Sequence, residues 1–243
     1  MKKFFLGSWI TIDNVSVVEV MASSGFDWLC VDLEHTVIDY KELQLMISTI
    51  NSCKLKSYVR VSSNDETCIK RSLDCGADGI IVPQIKNLDD AKLAINHTFY
   101  RPIGKRGVSA AARAQNYGFG FKEYQEKSKS IKLILQIEHI EAINNLEDIL
   151  KLKEISGTFI GPYDLSASLG SPGDFNNIKV KKALKKFKDL NKNSNKLVGY
   201  HVIEPDAKKV KEKVKEGYSF IAFSWDMYFL GSICRENIKK LKV

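Results

Sequence analysis

The feature that most restricts the fold of this chain is an alternation. Short apolar, β-rich runs recur along its whole length, and segments with helical spacing of their apolar residues stand between them. Antiparallel strands can be joined by tight turns, whereas parallel strands need a crossover, so the pattern predicts βα units around a parallel sheet. The strands read as Phe4–Trp9, Asp27–Val31, Ser57–Val61, Gly79–Pro83, Lys132–Ile137, Thr158–Ile160, Leu197–Val202 and Ser219–Phe223. Eight such units in 243 residues match the count and size of a (β/α)8 or TIM barrel, an α/β fold occupying residues 1–243 as one domain. An open doubly wound sheet is the competing fold, but no GxGxxG follows the first strand and Gly118-Phe119-Gly120 is too short to supply one.

The helices follow from the same reading. Asn14 or Asp13 caps a helix through Val17–Met21, which Gly25 stops. Further helices are expected over Tyr40–Ile50, Glu66–Asp74, Leu88–Asn96, Ala142–Lys151, Pro205–Glu216 and Met227–Leu241. One long stretch, Tyr100–Gln125, reads as irregular; its aromatic content argues against disorder and for a functional loop.

Composition excludes several other classes. With 44% hydrophobic residues the chain can bury a full core, and no stretch reaches the roughly 18 uninterrupted apolar residues of a membrane span. Lys2 to Phe5 are not followed by a long apolar run, so a soluble, cytoplasmic protein without membrane association is expected. The formal charge of +8 raises nucleic acid as a partner. Its densest source, Lys179 to Lys196, also carries Val180, Leu184, Phe187 and Leu190 at amphipathic spacing, which reads as a solvated helix face and not a nucleic-acid surface. Five scattered cysteines without CxxC spacing predict neither a disulfide framework nor structural zinc.

Chemistry gathers where the apolar runs turn polar. In a (β/α)8 barrel the C-terminal strand ends share one face, and active sites are built there. Those ends carry Asp32, Glu34 and His35 on the second strand, Arg60 on the third, Gln136 and Glu138 on the fifth and Asp164 after the sixth. Carboxylates with oxygen donors beside them suit a hard divalent cation such as Mg2+ or Mn2+ better than structural zinc. Arg60 suits the oxygens of a carboxylate or enolate, and His35 suits proton transfer near neutral pH, with Asp74 able to orient it. Gly161-Pro162 lets backbone approach closely, so the amides of Tyr163 and Asp164 can receive a substrate carboxylate. Taken singly, each has a structural alternative: Asp164 with Ser166 as a helix cap, Glu138 as a helix-start acid, Arg60 as an ion-pair partner, Asp74 as a helix-end carboxylate.

Six segments then carry a resemblance. Asp32-Leu33-Glu34-His35, Val59-Arg60-Val61, Leu73 to Gly79, Gly104 to Val108, Gln136-Ile137-Glu138 and Gly161-Pro162-Tyr163-Asp164-Leu165-Ser166 stand in the order found in the HpcH/HpaI aldolases, and the chain resembles that family almost throughout. The resemblance implies a class II, metal-dependent pyruvate aldolase that reversibly cleaves a 4-hydroxy-2-oxo acid to pyruvate and an aldehyde. It implies His35 as base, Asp74 as the partner that raises its basicity, Arg60 as stabiliser of the enolate, and Glu138 and Asp164 as metal ligands. Gln136 and the backbone of Gly161, Pro162, Tyr163 and Asp164 would bind pyruvate. The cation would be Mg2+ or Mn2+, with Co2+ or Zn2+ as alternatives. A homo-oligomer, trimer or hexamer, is implied too, with Met227, Tyr228, Phe229, Leu230 and Ile233 of the last helix packing on, or exchanged with, a neighbour. Tyr163 replaces a residue commonly small in the family, and His139 replaces a usual threonine; His139 is not assigned to the metal. The alternatives are a related lyase acting on a CoA thioester or another 2-oxo acid, and a catalytically silent binding barrel.

Overall fold

The computed structural model describes residues 4–241. Its strands β1 (Phe5–Ile10), β2 (Trp28–Asp32), β3 (Lys56–Arg60), β4 (Gly79–Ile85), β5 (Lys132–Ile137), β6 (Gly157–Ile160), β7 (Leu197–Val202) and β8 (Phe220–Trp225) close into an all-parallel barrel in sequence order. Helices α1 (Val15–Ala22), α2 (Tyr40–Ser52), α3 (Glu66–Asp74), α4 (Leu88–Thr98), α5 (Phe121–Ser128), α6 (Ile140–Lys151), α7 (Pro162–Ser168), α8 (Ile178–Lys192), α9 (Ala207–Lys215) and α10 (Asp226–Leu241) surround it. Side-chain caps fix most helix starts: Asn14 accepts from the Ser16 amide, Asp39 from Lys41 and Glu42, and Asp65 from Thr67 and Cys68. No helix among the described residues is long and apolar enough to cross a membrane.

Two cores hold the fold. The larger lies between strands and helices, where alternate strand residues such as Leu29, Val31, Ile80 and Leu133 meet the apolar faces of α2, α3, α4 and α6. The smaller fills the barrel itself with Trp9, Trp28, Tyr58, Phe159 and Phe220. Rings of this size fit because glycine stands directly across the ladder from three of them. Gly7 is in register with Trp28, Gly79 with Tyr58 and Gly199 with Phe159. A Cβ at those positions would come within 2.0, 2.4 and 2.3 Å of the opposing ring. Trp28 then stacks on Phe220, with centroids 4.1 Å apart and planes at 5°.

The expected irregular stretch is largely ordered. Arg113–Gly118 makes short 3-10 turns broken by left-handed Asn116 and Tyr117, with φ of 50° and 54°, and α5 begins at Phe121. The reason is a buried arginine: Arg106 lies against the rings of Tyr100 and Tyr124, and bonds the Tyr124 hydroxyl at 3.1 Å and Asp74 Oδ1 at 2.6 Å. The last helix differs from expectation in part. Met227, Leu230 and Ile233 are exposed, but Phe229 packs on Phe223 and Tyr228 on Trp225.

Candidate active site

The polar strand ends do share one rim. Asp32, at the end of β2, grips Arg60, at the end of β3, with two parallel bonds, from Nε at 2.8 Å and from Nη2 at 2.6 Å. Glu34 Oε2 lies 3.1 Å from Arg60 Nη1, out of line for a hydrogen bond, and is a buried oxygen without a donor. Burial works against the charge of Arg60, but the bonds and charge of Asp32 outweigh it and hold the guanidinium ionised. A fixed, charged fork therefore stands at the rim, with its face 4.6 Å from the Trp9 ring centroid.

On the β5–β6 side, Glu138 is buried and Gln136 beside it donates to Glu138 Oε2. The other carboxylate oxygen accepts from the Gln84 amide at 2.7 Å. That amide is aimed inward by a break in the ladder between Val82 and Ile85, where Gln84 takes a positive φ of 59°. Gly161 leaves the room this carboxylate uses, since a Cβ there would lie 2.8 Å from Glu138 Cβ and 2.9 Å from Oε2. Pro162 starts α7, which places Asp164 and the amides of Tyr163 and Asp164 in a first turn where no intrahelical carbonyl reaches them.

The two sides meet electrostatically at Glu34. Burial pushes its carboxyl up to about 7, Arg60 opposes, and the charges of Glu138, Asp32 and Asp164 push the same way as burial. Three other acids thus act on one buried carboxylate that shares a single arginine with Asp32. This is a field a cation would relieve. The candidate donors are all oxygen: Glu138, Asp164 and the Oε1 of Gln136, which is buried and unpartnered. Among the described residues no group of three or more His, Cys, Asp or Glu is arranged to hold a metal ion by itself. Two carboxylates plus a side-chain carbonyl fit a hard cation that completes its shell with water and substrate.

Other expected residues fall elsewhere. His35 is in the loop after β2, largely exposed, with Nε2 3.8 Å from Glu34 Oε2. Asp74 does not orient it within the chain. Asp74 ends α3, toward the other end of the barrel, and its carboxylate is bound to Arg106. A helix that follows a strand runs back toward the strand's start, so its last residue cannot reach the C-terminal rim. Glu34 is the carboxylate nearest His35. His139 caps α6, its Nδ1 accepting from the Glu141 amide at 3.3 Å. The Tyr163 ring packs edge-on against Phe175, with centroids 4.9 Å apart. Reading strand ends missed His201, Trp9 and Trp225, which line a cavity with His35 and Arg60. His201 had a signal: it follows Gly199 at spacing two, on the inward face of β7.

Fold and rim define a class: a parallel (β/α)8 enzyme with a carboxylate pair, an ionised arginine and a histidine at the C-terminal strand ends. The sequence pattern of the HpcH/HpaI aldolase/citrate lyase family matches residues 6–231, and the chain belongs to that family. It is 32% identical over 237 residues to a 2-dehydro-3,6-dideoxy-6-sulfogluconate aldolase of Pseudomonas putida, covering 98% of this chain and 92% of the relative. It is 34% identical over 225 residues to a pyruvate aldolase of Rhizobium etli, covering 93% and 88%. The crystal structure of an HpcH/HpaI aldolase/citrate lyase family protein from Burkholderia cenocepacia superposes with a TM-score of 0.93 at 28% identity, over 100% of this chain and 96% of that one.

Proposed function

We propose that this protein is a divalent-metal-dependent aldolase that reversibly cleaves a 4-hydroxy-2-oxo acid into pyruvate and an aldehyde. The observation that carries the reading is the rim itself, where an ionised Arg60 fixed by Asp32 stands among Glu34, Glu138 and Asp164, with His35 alongside. The names of the relatives support the same reaction class.

Glu138 and Asp164, with Gln136 Oε1, would hold the cation, Mg2+ or Mn2+. When bound it polarises the 2-oxo group and offsets negative charge there. The amides of Tyr163 and Asp164 receive the substrate carboxylate, in a turn that Gly161 and Pro162 keep open. His35 removes the proton of the C4 hydroxyl. The electron pair of that O–H bond forms the aldehyde carbonyl, the C3–C4 bond breaks, and its pair passes into an enolate. Arg60 stabilises the developing enolate oxygen, and because Asp32 already fixes its plane little reorganisation is needed. Return of the proton to C3 gives pyruvate and restores neutral His35. Glu34, beside both groups, keeps His35 near Arg60.

Pyruvate with a panel of aldehydes and Mg2+ or Mn2+ tests this, repeated after EDTA. Condensation that is lost with EDTA and regained with metal is expected. Metal-independent turnover, or no product with any aldehyde, would sink the reading.

A further inference from the structure

A cavity of about 850 Å3 lies at the N-terminal mouth of the barrel and shares no lining residue with the cavity at the catalytic rim. The barrel's own aromatic layer, Trp28, Tyr58 and Phe220, forms its floor. Lysines gather around it for a reason of topology. Lys56 opens β3, Lys132 opens β5, Lys127 lies near the end of α5, and Lys153 and Lys196 stand just ahead of β6 and β7. Strand starts and helix ends meet at this face of a parallel barrel, so residues distant in sequence are carried to one place.

Five lysines line the cavity against two aspartates. The acids are answered: Asp27 accepts from the Leu6 amide at 2.8 Å, and Asp78 accepts from the Ser57 amide and lies 3.3 Å from Lys127 Nζ and 3.8 Å from Lys56 Nζ. The other three cations, Lys132, Lys153 and Lys196, have no carboxylate partner among the described residues. Lys196 is half-buried, and its Nζ donates to the Leu152 and Ile155 carbonyls at 2.7 and 2.9 Å, which orient the ammonium without neutralising it. Burial pushes its pKa down, and only the more distant Glu154 opposes.

The floor adds a donor. Tyr58 is only 6% exposed, yet its hydroxyl makes no hydrogen bond among the described residues and, in contrast to the sealed Trp28 Nε1, opens on the cavity. Burial, then the charge of Asp78, pushes its pKa up, so the hydroxyl keeps its proton and can donate it to an acceptor. Cations left without counter-charges repel one another, and a multiply charged anion relieves them. A phosphate, with close to two negative charges and three acceptor oxygens, answers three lysines better than a single carboxylate does. The cavity is also larger than a bare phosphate needs and falls within the range of small-molecule sites. Its aromatic floor and the exposed Phe5 ring at its edge suit a flat body, and the Tyr58 hydroxyl suits an acceptor on that body.

We infer that the N-terminal mouth is a second binding site, for a phosphorylated ligand of mononucleotide size, its phosphates held by Lys132, Lys153 and Lys196 and its flat body lying on the aromatic floor against the Tyr58 hydroxyl. The inference does not depend on the aldolase reading, since none of these groups belongs to the rim. Isothermal titration calorimetry of the metal-free chain with ADP, ribose 5-phosphate and adenosine tests it. ADP should saturate one site per chain, and each of the two fragments should bind at least about tenfold more weakly, because each carries half of the recognition. The double variant Lys132→Gln/Lys153→Gln, both positions exposed, should weaken ADP by about tenfold or more. Tyr58→Phe, which keeps the ring in the layer, should weaken both ADP and adenosine by roughly threefold to tenfold and leave ribose 5-phosphate unchanged. Absence of saturable ADP binding by wild type overturns the inference without requiring any variant to fold. Adenosine binding as tightly as ADP overturns it too, as does an ADP affinity unchanged in the double lysine variant, which places the nucleotide elsewhere on the chain.

Discussion

The interior of the barrel has two layers, and they are built on opposite principles. In the lower layer Trp28, Tyr58, Phe159 and Phe220 fill the space that three glycines leave, and the acids beneath are matched: Asp27 accepts from the Leu6 amide, Asp78 from the Ser57 amide with Lys127 at 3.3 Å. Trp28 Nε1 is its one buried polar side-chain atom without a partner among the described residues. In the upper layer Glu34 Oε2, Gln136 Oε1, His201 Nε2 and Trp9 Nε1 are all buried and unpaired, and Gln84 and Ser224 hold left-handed backbone. The contrast teaches where the chain has been satisfied and where it has been left incomplete. Stability resides in the layer whose groups answer one another. Chemistry resides where they await a ligand.

Substitutions should break that division in a definite order. Glu138→Gln in the upper layer removes a cation ligand and should lower turnover on the order of 10^3-fold or more, about 4 kcal/mol of barrier, with little change in melting temperature. Steady-state rates beside a thermal melt check it; near-normal turnover would return Glu138 to a helix-start acid. Arg60→Met crosses the layers, because it strips the enolate stabiliser and leaves Asp32 buried without its partner. Turnover should fall at least about 10^2-fold, and unfolding in urea should show a loss of about 3 kcal/mol.

Gly7→Ala in the lower layer forces a methyl group into the Trp28 ring and should cost roughly 2–3 kcal/mol, with kcat of the surviving folded fraction unchanged. Acidification isolates His201. Its pKa lies near 4 when folded and 6.5 is the ordinary value, so the unfolded chain takes the proton first. The stability that this difference supplies is complete above pH 6.5 and drains away toward pH 4, by roughly 3 kcal/mol. Glu34 works in the other sense, its raised folded pKa making the native state more stable as pH falls from about 7. The measurement is therefore the difference between wild type and His201→Phe in metal-free urea titrations across that window; a constant difference would contradict the burial of a neutral ring. Smallest of all, Lys127→Met at the exposed lower mouth should change stability by less than about 0.5 kcal/mol and kcat not at all.

Much of this was legible in the sequence, for physical reasons that differ between elements. Parallel strands buried on both sides are short apolar runs, so all eight could be read to within a few residues. Polar residues ending such runs pointed to Asp32, Arg60, Gln136 and Glu138, because a charge at that place needs a reason. That Asp74 is carried away from His35 within the chain could not be read, because local pattern does not say at which end of the barrel a helix terminates; the direction of α3 does. His201 was hidden in a strand that reads as apolar, and its surroundings come from Trp9 and Trp225, which are distant in sequence. The order within Tyr100–Gln125 likewise depends on Arg106 reaching Asp74 across the fold.

The placement of the three tryptophans has a practical consequence. Trp9 and Trp225 border the cavity, and Trp28 lies sealed in the aromatic layer. The molecule thus carries two kinds of intrinsic fluorophore. Emission from Trp9 and Trp225 should respond when a ligand enters, while the red shift of Trp28 on exposure to water marks unfolding alone. With Trp28→Phe and Trp9→Phe as references, occupancy and integrity become separable optical signals from one unlabelled sample.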